Sequence, residues 1–427
     1  MSAPRVLVLG GKAGILRKAA DLGLDVVNIQ KPSAFDPAAV AYCTQIHLMD
    51  YQDIPAVTAL AEALHATSPF SRVLTQTEAA QVVAGHLTTH LGLPGNGDEI
   101  TRALHDKRAL RELLNARGLG PVAVERGTDR SALRDFVRRH GAAVVKPTMG
   151  SGSLGVRLIH SAEEADAAWD WLESFGLKDF MVEELLTGTE LSVETFSCAG
   201  DHTVLAVTGK DTGAGVVELG HVVPARISPE QADTVAEFTC QVLDAVGLVD
   251  GTAHTEIMLT GQGPRVIESH ARRGGDRIND LVEIACGVDM EQLAYRQALP
   301  GFRVPGISGA GCAAAIRFLT AEPGRVVAVE GIEEARSLDG VLDVRIQVEP
   351  GDTVRPLHWS EDRCGQILVR AEDSERAEAL ARRAAGLITI RTVPQGQDAA
   401  VDEPLTLGRL LTEVDEVLDP FAAAHAH

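Results

Sequence analysis

The chain has 427 residues, a length that predicts two to four domains rather than one core. Its formal net charge is −21, which argues against nucleic acid as a partner because phosphate binding needs a basic face. The six cysteines are scattered without a CxxC pair, and this spacing argues against a zinc site or a disulfide framework. We expect a soluble protein in the cytoplasm, because the chain has no run of ~18 apolar residues and no basic leader.

Residues 1–100 alternate strands with helices and predict a Rossmann-like domain with a parallel sheet. The strands are expected at 5–10, 25–30 and 72–75. A glycine turn at 10–14 suggests a dinucleotide site. However, the second strand ends at Gln30, where a nicotinamide-binding unit needs an acidic residue for the ribose. The pattern therefore favours a plain strand-to-helix turn over a nicotinamide oxidoreductase.

Residues 101–300 predict a second domain, with subdomains at about 119–187 and 188–300. It begins with an amphipathic helix at 101–117, and a later helix at 161–175 carries a Ser161/Glu164 capping-box spacing. A long helix is expected at 229–246 and a hairpin at 253–270. A C-terminal α+β domain follows at 301–395. The remaining 396–427 form an acidic tail with one weak helix at 405–418 and a His425–His427 terminus.

The hairpin carries the strongest chemical signal. If residues 260–264 form its turn and Leu259 pairs with Arg265, then Glu256 and Glu268 face each other. Facing carboxylates ~5 Å apart repel unless a cation lies between them. Oxygen ligands without sulfur favour Mg²⁺ or Mn²⁺, and the alternative is a pair of solvated surface glutamates.

Two further segments suggest a nucleotide site. A predicted strand ends at Lys146 and runs into a loop that contains Ser151, Gly152 and Ser153, whose backbone N–H groups can approach phosphates closely. A plain hairpin is the alternative for this segment. At 180–194, two predicted strands joined by a short linker carry carboxylates and could contact an adenine and its ribose.

Together these motifs occur in the order seen in ATP-grasp enzymes, and the stretch at 268–276 resembles the L-amino acid ligase branch of that superfamily. The resemblance covers roughly residues 1–395. It implies an ATP-grasp fold, of α/β and α+β class, with an N-terminal Rossmann-like domain and a C-terminal α+β domain.

The resemblance also implies site residues. Lys107, Lys146 and the 150–155 loop would contact the ATP phosphates, and Glu256 with Glu268 would bind the metal. Adenine and ribose would be held by Glu183, Glu184, Leu186 and Glu190. Arg272 would stabilise charge on the acyl phosphate and the tetrahedral intermediate, while Glu78, His221 and Gly275 would line the amino-acid pocket.

Some of these residues have simpler explanations. Glu78 could start a helix, His221 could be a core histidine, and Arg272 with Arg273 could be a solvated pair. His270 departs from the family pattern, because many ATP-grasp enzymes have asparagine there and histidine is a poor Mg²⁺ ligand.

The resemblance implies a ligase that uses ATP and Mg²⁺ to activate a small carboxylic acid as an acyl phosphate and join it to an amine. Amino acids are the expected substrates, and a homodimer is expected from the superfamily. The alternatives are an ATP-grasp carboxylase, a purine-pathway ligase, or a nucleotide-binding regulatory protein without turnover.

Overall fold

The computed structural model describes residues 3–150, 152–176, 180–213, 215–307, 309 and 311–394. The Ser151 position, the predicted helix at 405–418 and the terminal histidines lie outside these residues. None of the helices in the described ranges is long and apolar enough to cross a membrane.

The N-terminal part is a four-stranded parallel sheet in the order β3-β2-β1-β4, as the βαβ pattern predicts. Strand β1 is buried along its whole length, which suits its continuous apolar run. The elements are β1 (Arg5–Leu9), α1 (Ala13–Asp21), β2 (Asp25–Gln30), β3 (Gln45–Leu48), α2 (Ile54–Thr67), β4 (Arg72–Thr75) and α3 (Gln81–His90).

The predicted helix at 101–117 is in fact two helices, α4 (Asp98–His105) and α5 (Lys107–Ala116). Asp106 has an extended backbone, and its carboxylate accepts the N–H groups of Arg108 and Ala109. Because Asp106 is an N-cap, it ends one amphipathic segment and starts the next. Lys107 therefore lies at a helix start, where the family resemblance expects it.

A smaller antiparallel sheet follows, in the order β5-β8-β6-β7. Its core joins Phe136 and Val137 of one helix to Val145 and Val182 of the strands. The predicted capping box is wrong, since the second helix starts at Glu164 and its N-cap, Glu163, makes no side-chain cap bond. The elements are β5 (Val124–Arg126), α6 (Arg130–His140), β6 (Ala143–Pro147), β7 (Arg157–Ile159), α7 (Glu164–Phe175) and β8 (Phe180–Glu184).

The remaining strands form one eight-stranded sheet, β13-β12-β9-β10-β11-β14-β18-β16, and a three-stranded sheet, β17-β15-β19. The strands are β9 (Thr189–Cys198), β10 (Asp201–Asp211), β11 (Gly220–Val223), β12 (Gly251–Thr260), β13 (Gly263–His270), β14 (Ala313–Leu319), β15 (Gly324–Glu330), β16 (Val341–Ile346), β17 (Thr353–Val354), β18 (Gly365–Ala371) and β19 (Thr389–Val393). The helices are α8 (Pro229–Val246), α9 (Ile278–Cys286), α10 (Met290–Arg296), α11 (Ile332–Arg336) and α12 (Ser374–Leu387). Because β11 pairs with β14, the large sheet continues across the domain boundary predicted at residue 300, and that boundary stays a prediction.

The β12–β13 hairpin places Glu256 directly opposite Glu268, as the sequence predicts. The predicted five-residue turn and the predicted pairing of Leu259 with Arg265 are wrong. Leu259 pairs with Pro264, and the turn is shorter than five residues. A β-bulge between Glu256 and Ile257 shifts the register by one residue and brings the two glutamates into line.

Candidate active site

A cleft of about 220 Å³ lies where the N-terminal sheet, the large sheet and the C-terminal strands meet. It brings together residues far apart in the sequence, including most of the predicted substrate and metal residues. The polar and aromatic side chains that line it include Gln30, Tyr51, Gln76, Glu78, Lys210, Glu218, His221, His254, Glu256, Glu268, Arg272, Arg273, Asp276, Phe318, Trp359, Glu361, Arg363 and Gln366.

The hairpin presents a mirrored set of side chains at the cleft. His254 faces His270 in the strand pairing, next to the facing pair Glu256 and Glu268. Each histidine contacts the glutamate of its own strand, with His254 Nε2 3.2 Å from Glu256 and His270 Nε2 2.9 Å from Glu268. His254 was not predicted, although the mirrored His-x-Glu and Glu-x-His spacing on the two strands signals it.

The second nitrogen of each histidine also faces a carboxylate. His254 Nδ1 lies 2.9 Å from the fully buried Glu194, and His270 Nδ1 lies 3.3 Å from Glu78. Burial lowers the pKa of His254, but the charges and hydrogen bonds of Glu194 and Glu256 together outweigh burial and raise the pKa to about 9. The pKa of His270 is raised in the same way, with Glu78 as the main charge that opposes burial. His270 therefore bridges the carboxylates of Glu78 and Glu268.

Lys210 lies at the centre of the carboxylate group and was also missed from the sequence. Its Nζ is 2.6 Å from Glu256, 3.0 Å from Glu218 and 3.2 Å from Glu190. Burial lowers the pKa of Lys210, but these three charges hold it well above its usual value. Burial raises the pKa of Glu256, and the charge of Lys210 brings it down to about 2. Glu190, for which the resemblance implies a ribose contact, thus belongs to the same charged group as Glu256.

The two predicted phosphate lysines are each held by a glutamate. Lys107 Nζ lies 2.9 Å from Glu268 and also donates to the carbonyl of Gly150. Lys146 Nζ lies 2.6 Å from Glu183, which also pairs with Arg111. Glu183 is only 2% exposed and orients Lys146, and its contact with adenine or ribose stays a prediction.

The predicted catalytic Arg272 pairs with the predicted pocket residue Glu78 through its Nε. Glu78 also contacts His105 and His270, each at 3.3 Å. Burial raises the pKa of Glu78, but the charges of Arg272 and His270 hold it well below its usual range. Glu78 therefore fixes the orientation of Arg272, and a substrate ammonium group reaches it only in competition with these partners.

His221 lies against Asp276, with Nε2 3.2 Å from its carboxylate, and its ring meets Phe318 edge to face. Arg363 binds the same carboxylate through two nitrogens, at 2.8 and 2.6 Å. Burial raises the pKa of Asp276, but the charge of Arg363 reverses the shift and holds the pKa below its usual value. Asp276 and Arg363 were not predicted, because these two partners lie 87 residues apart in the sequence.

The remaining predicted site residues lie in the glycine loop at 150–155, after β13, and at or just beyond the end of β8. Gly152 lines the cleft, and its carbonyl accepts the N–H of Ser360 at 3.3 Å. Ser153 has a positive φ of 62° and donates to the carbonyl of Val216. Gly275 also lines the cleft, and a Cβ built there would meet nothing within 4 Å. At the end of β8, the carboxylate of Glu184 accepts the N–H of Ala123. Leu186, beyond the end of β8, is half-buried.

The carboxylate set supplies the kind of ligands that a divalent metal ion needs, but the ammonium of Lys210 lies among three of them and a metal ion would have to replace it there. Carboxylate oxygens of Glu190, Glu218 and Glu256 lie within 4.8 Å of one another, and Glu268 faces Glu256 across the hairpin. These are hard oxygen ligands without sulfur, which suits Mg²⁺ or Mn²⁺.

Comparison with known families agrees with this geometry. The family model for the ATP-grasp domain matches residues 140–280, and the model for the ATP-grasp N-terminal domain matches 16–95. The model for the L-amino acid ligase C-terminal domain 2 matches 317–393.

Individual relatives and a solved structure to which the chain is similar are named as amino acid ligases. The chain is 28% identical to an alanine–anticapsin ligase of Bacillus subtilis over 48% of each chain. It is 24% identical to an L-arginine-specific L-amino acid ligase of Bacillus subtilis, over 77% of this chain and 83% of that one. The crystal structure of an L-amino acid ligase from Bacillus licheniformis superposes with a TM-score of 0.75 at 22% identity, covering 93% of this chain and all of that one.

The chain is an ATP-grasp protein, a class whose members use ATP and a divalent metal. It also matches the L-amino acid ligase C-terminal domain 2 at residues 317–393, and its named relatives include an L-amino acid ligase. The fold and family predicted from the sequence are thereby confirmed.

Proposed function

We propose that this protein is an ATP-dependent carboxylate–amine ligase. It activates an amino acid or a similar small carboxylic acid as an acyl phosphate, condenses it with an amine to form an amide, and releases ADP and phosphate. The observation that carries the proposal is the single cleft that joins the carboxylate and lysine group around Lys210 to Arg272 and Glu78.

In the first step a substrate carboxylate oxygen attacks the γ-phosphorus of ATP, and the bond to the β-phosphate oxygen breaks. Lys107, Lys146 and Lys210 hold positive charge beside the phosphates as negative charge develops. Glu256 and Glu268 would hold Mg²⁺, which would neutralise further charge at the phosphates.

In the second step the amine attacks the acyl carbon and phosphate leaves, while the nitrogen loses a proton. Arg272 stabilises the oxyanion, since Glu78 holds its guanidinium at the cleft wall. The loop around Gly152 limits water access to the acyl phosphate, which would otherwise hydrolyse. Glu184, Leu186 and Glu190 contribute to nucleotide binding, and His221 with Gly275 borders the amino-acid pocket.

The relatives support an amide product. Two of them are named as ligases of alanine with anticapsin and of L-arginine, and on this basis we expect amino acids as both acid and amine. A homodimer and a cytoplasmic location stay predictions, and light scattering on the purified protein tests the first.

The direct test is to incubate the protein with ATP, Mg²⁺ and pooled amino acids and to follow ADP, AMP, phosphate and new masses. We expect ADP, phosphate and a condensed product that all depend on the amino acids, and an at least ~100-fold slower reaction for Arg272→Met. AMP with pyrophosphate would overturn the acyl-phosphate mechanism. Turnover with bicarbonate alone would indicate a carboxylase, and no turnover with any acid would favour a regulatory nucleotide-binding protein.

A further inference from the structure

The C-terminal strands supply part of the cleft lining, called here the C-terminal wall. Trp359 and Glu361 lie in or beside a 3-10 turn at Ser360–Asp362, and Gln366 lies in β18. All three line the cleft. The N–H of Ser360 in this turn donates to the carbonyl of Gly152, so the wall meets the glycine loop directly.

Two hydrogen-bond donors in this wall have no partner among the residues that the structure describes. They are the indole Nε1 of Trp359 and the amide Nε2 of Gln366. Both side chains are more than nine-tenths buried, at 5% and 2% exposure. Buried polar groups of folded proteins are almost always hydrogen-bonded, so two unpaired donors on one cleft wall point to an acceptor on a ligand.

The neighbouring charges restrict what that ligand is. The guanidinium of Arg363 is already used, because it binds Asp276 twice, donates to the carbonyl of Ser360 at 2.7 Å and lies 3.7 Å from the centre of the Phe318 ring. Asp276 is neutralised in the same contact. Among the described residues, this wall has no free cation for a carboxylate, and Glu361 repels a carboxylate.

Glu361 adds an acceptor to the two donors. Its carboxyl is partly buried and forms no ion pair within the described ranges. A ligand group that matches the wall has an oxygen for Trp359 and Gln366 and an N–H for Glu361. A carboxamide has both and carries no charge, whereas an aliphatic side chain has neither.

We propose that Trp359, Glu361 and Gln366 form a subsite that selects an amino-acid substrate with a carboxamide side chain. The proposal rests on the ligase function proposed above and extends it to the substrate class. The carboxamide oxygen accepts from the indole and the glutamine amide, and the carboxamide nitrogen donates to Glu361. Phe318, with Arg363 stacked on it, forms the adjoining surface.

The test compares L-glutamine with L-methionine, which is similar in length but has no carboxamide, at a fixed concentration of L-alanine. The rate of ADP formation gives kcat/KM for each. We expect the wild type to have a clearly higher kcat/KM for glutamine than for methionine. Trp359→Phe and Gln366→Met should each lower the glutamine-to-methionine ratio of kcat/KM roughly tenfold, because each variant removes one hydrogen bond and retains most of the side-chain volume. Trp171→Phe, on α7 and outside the cleft lining, is the matched control and should leave the ratio unchanged.

Equal kcat/KM for glutamine and methionine overturns the subsite, as does a ratio that neither variant changes. A preference for L-glutamate or L-lysine overturns it as well, because the wall would then select a charge. If no amino acid supports ADP formation, the result contradicts the proposed ligase function and leaves the subsite to a second measurement. Calorimetry with L-glutamine then decides the subsite alone: binding that Trp359→Phe weakens supports it, and no binding overturns it.

Discussion

At the scale of single residues, the centre of the site is a group of carboxylates held together by two lysines. Lys210 is surrounded by Glu190, Glu218 and Glu256, and Glu268 is held by Lys107. Three carboxylates this close would repel strongly in a buried position without the ammonium group. Lys210 is therefore as much a part of the candidate metal site as the two glutamates that the sequence predicts.

We predict that Lys210→Met lowers ATP turnover by at least ~100-fold and lowers the melting temperature in metal-free buffer by several degrees. Added Mg²⁺ or Mn²⁺ should raise the melting temperature of the variant more than that of the wild type, because the ion replaces the lost positive charge. Differential scanning calorimetry with and without metal measures the two changes in melting temperature, and the rate of ADP formation measures the turnover.

The control for this prediction is the double variant Lys210→Met/Glu218→Gln, which also removes one of the three negative charges. It should recover part of the lost melting temperature. If the double variant is no more stable than the single one, charge repulsion is not the cause of the loss.

At the scale of elements, a partly buried ion cluster ties two helices to the loop after β13. Glu291 of α10 pairs with Lys18 of α1 at 2.6 Å and with Arg273 of that loop. Burial raises the pKa of Glu291, but the charges of Arg273 and Lys18 lower it below its ordinary value of 4.5. The cluster thereby fixes the loop that carries Arg272 relative to the N-terminal sheet.

We predict that Glu291→Gln destabilises the protein by about 3 kcal/mol at neutral pH, since it leaves two cations less well paired. A carboxyl whose folded-state pKa is depressed stabilises the fold fully above its unfolded pKa and loses that contribution as pH falls through the folded value. The difference between wild type and variant should thus be constant from pH 7 to about 5 and shrink below about 4.5. Urea unfolding across this pH range measures it.

Glu375→Gln is the matched control, because the Glu375 side chain is 79% exposed and its contact with Arg226 is 3.9 Å long. It should change the unfolding free energy by less than about 0.5 kcal/mol. A loss for Glu291→Gln that stays the same down to pH 3 would contradict the ion-pair explanation.

At the scale of the whole molecule, the C-terminal strands continue the central sheet. Strand β14 pairs with β11, and α9 packs Leu281 and Val282 in one core with Ile316 and Phe318 of β14. Arg277 adds an ion pair of 2.6 Å to Asp343 of β16. The C-terminal part thus completes both the core and one wall of the cleft.

We predict that a chain ending at residue 300 aggregates, because it exposes the edge of β11 and the apolar face of α9. A chain ending at residue 394 keeps every described strand and should remain folded. Size-exclusion chromatography with light scattering compares the two. A monomeric 1–300 fragment that unfolds cooperatively would contradict the prediction.

Much of this protein follows from its sequence alone. The strands at 25–30 and 72–75 and the helix at 229–246 have the predicted bounds, because apolar periodicity and caps act over a few residues. The pairing of Glu256 with Glu268 was also predictable, since a hairpin brings neighbouring segments together. The family resemblance supplied Lys107, Lys146, Glu78 and Arg272 as candidates, and three of the four contact the hairpin glutamates or each other.

Only the tertiary structure decided the rest. The bulge that aligns the glutamates appears only in the pairing of β12 with β13, and no local pattern in the sequence marks it. Lys210, Asp276 and Arg363 carry no local signal, because each acquires its role from a partner far along the chain. A buried charge needs an opposite charge in space, and the sequence does not state which segments the fold will bring together.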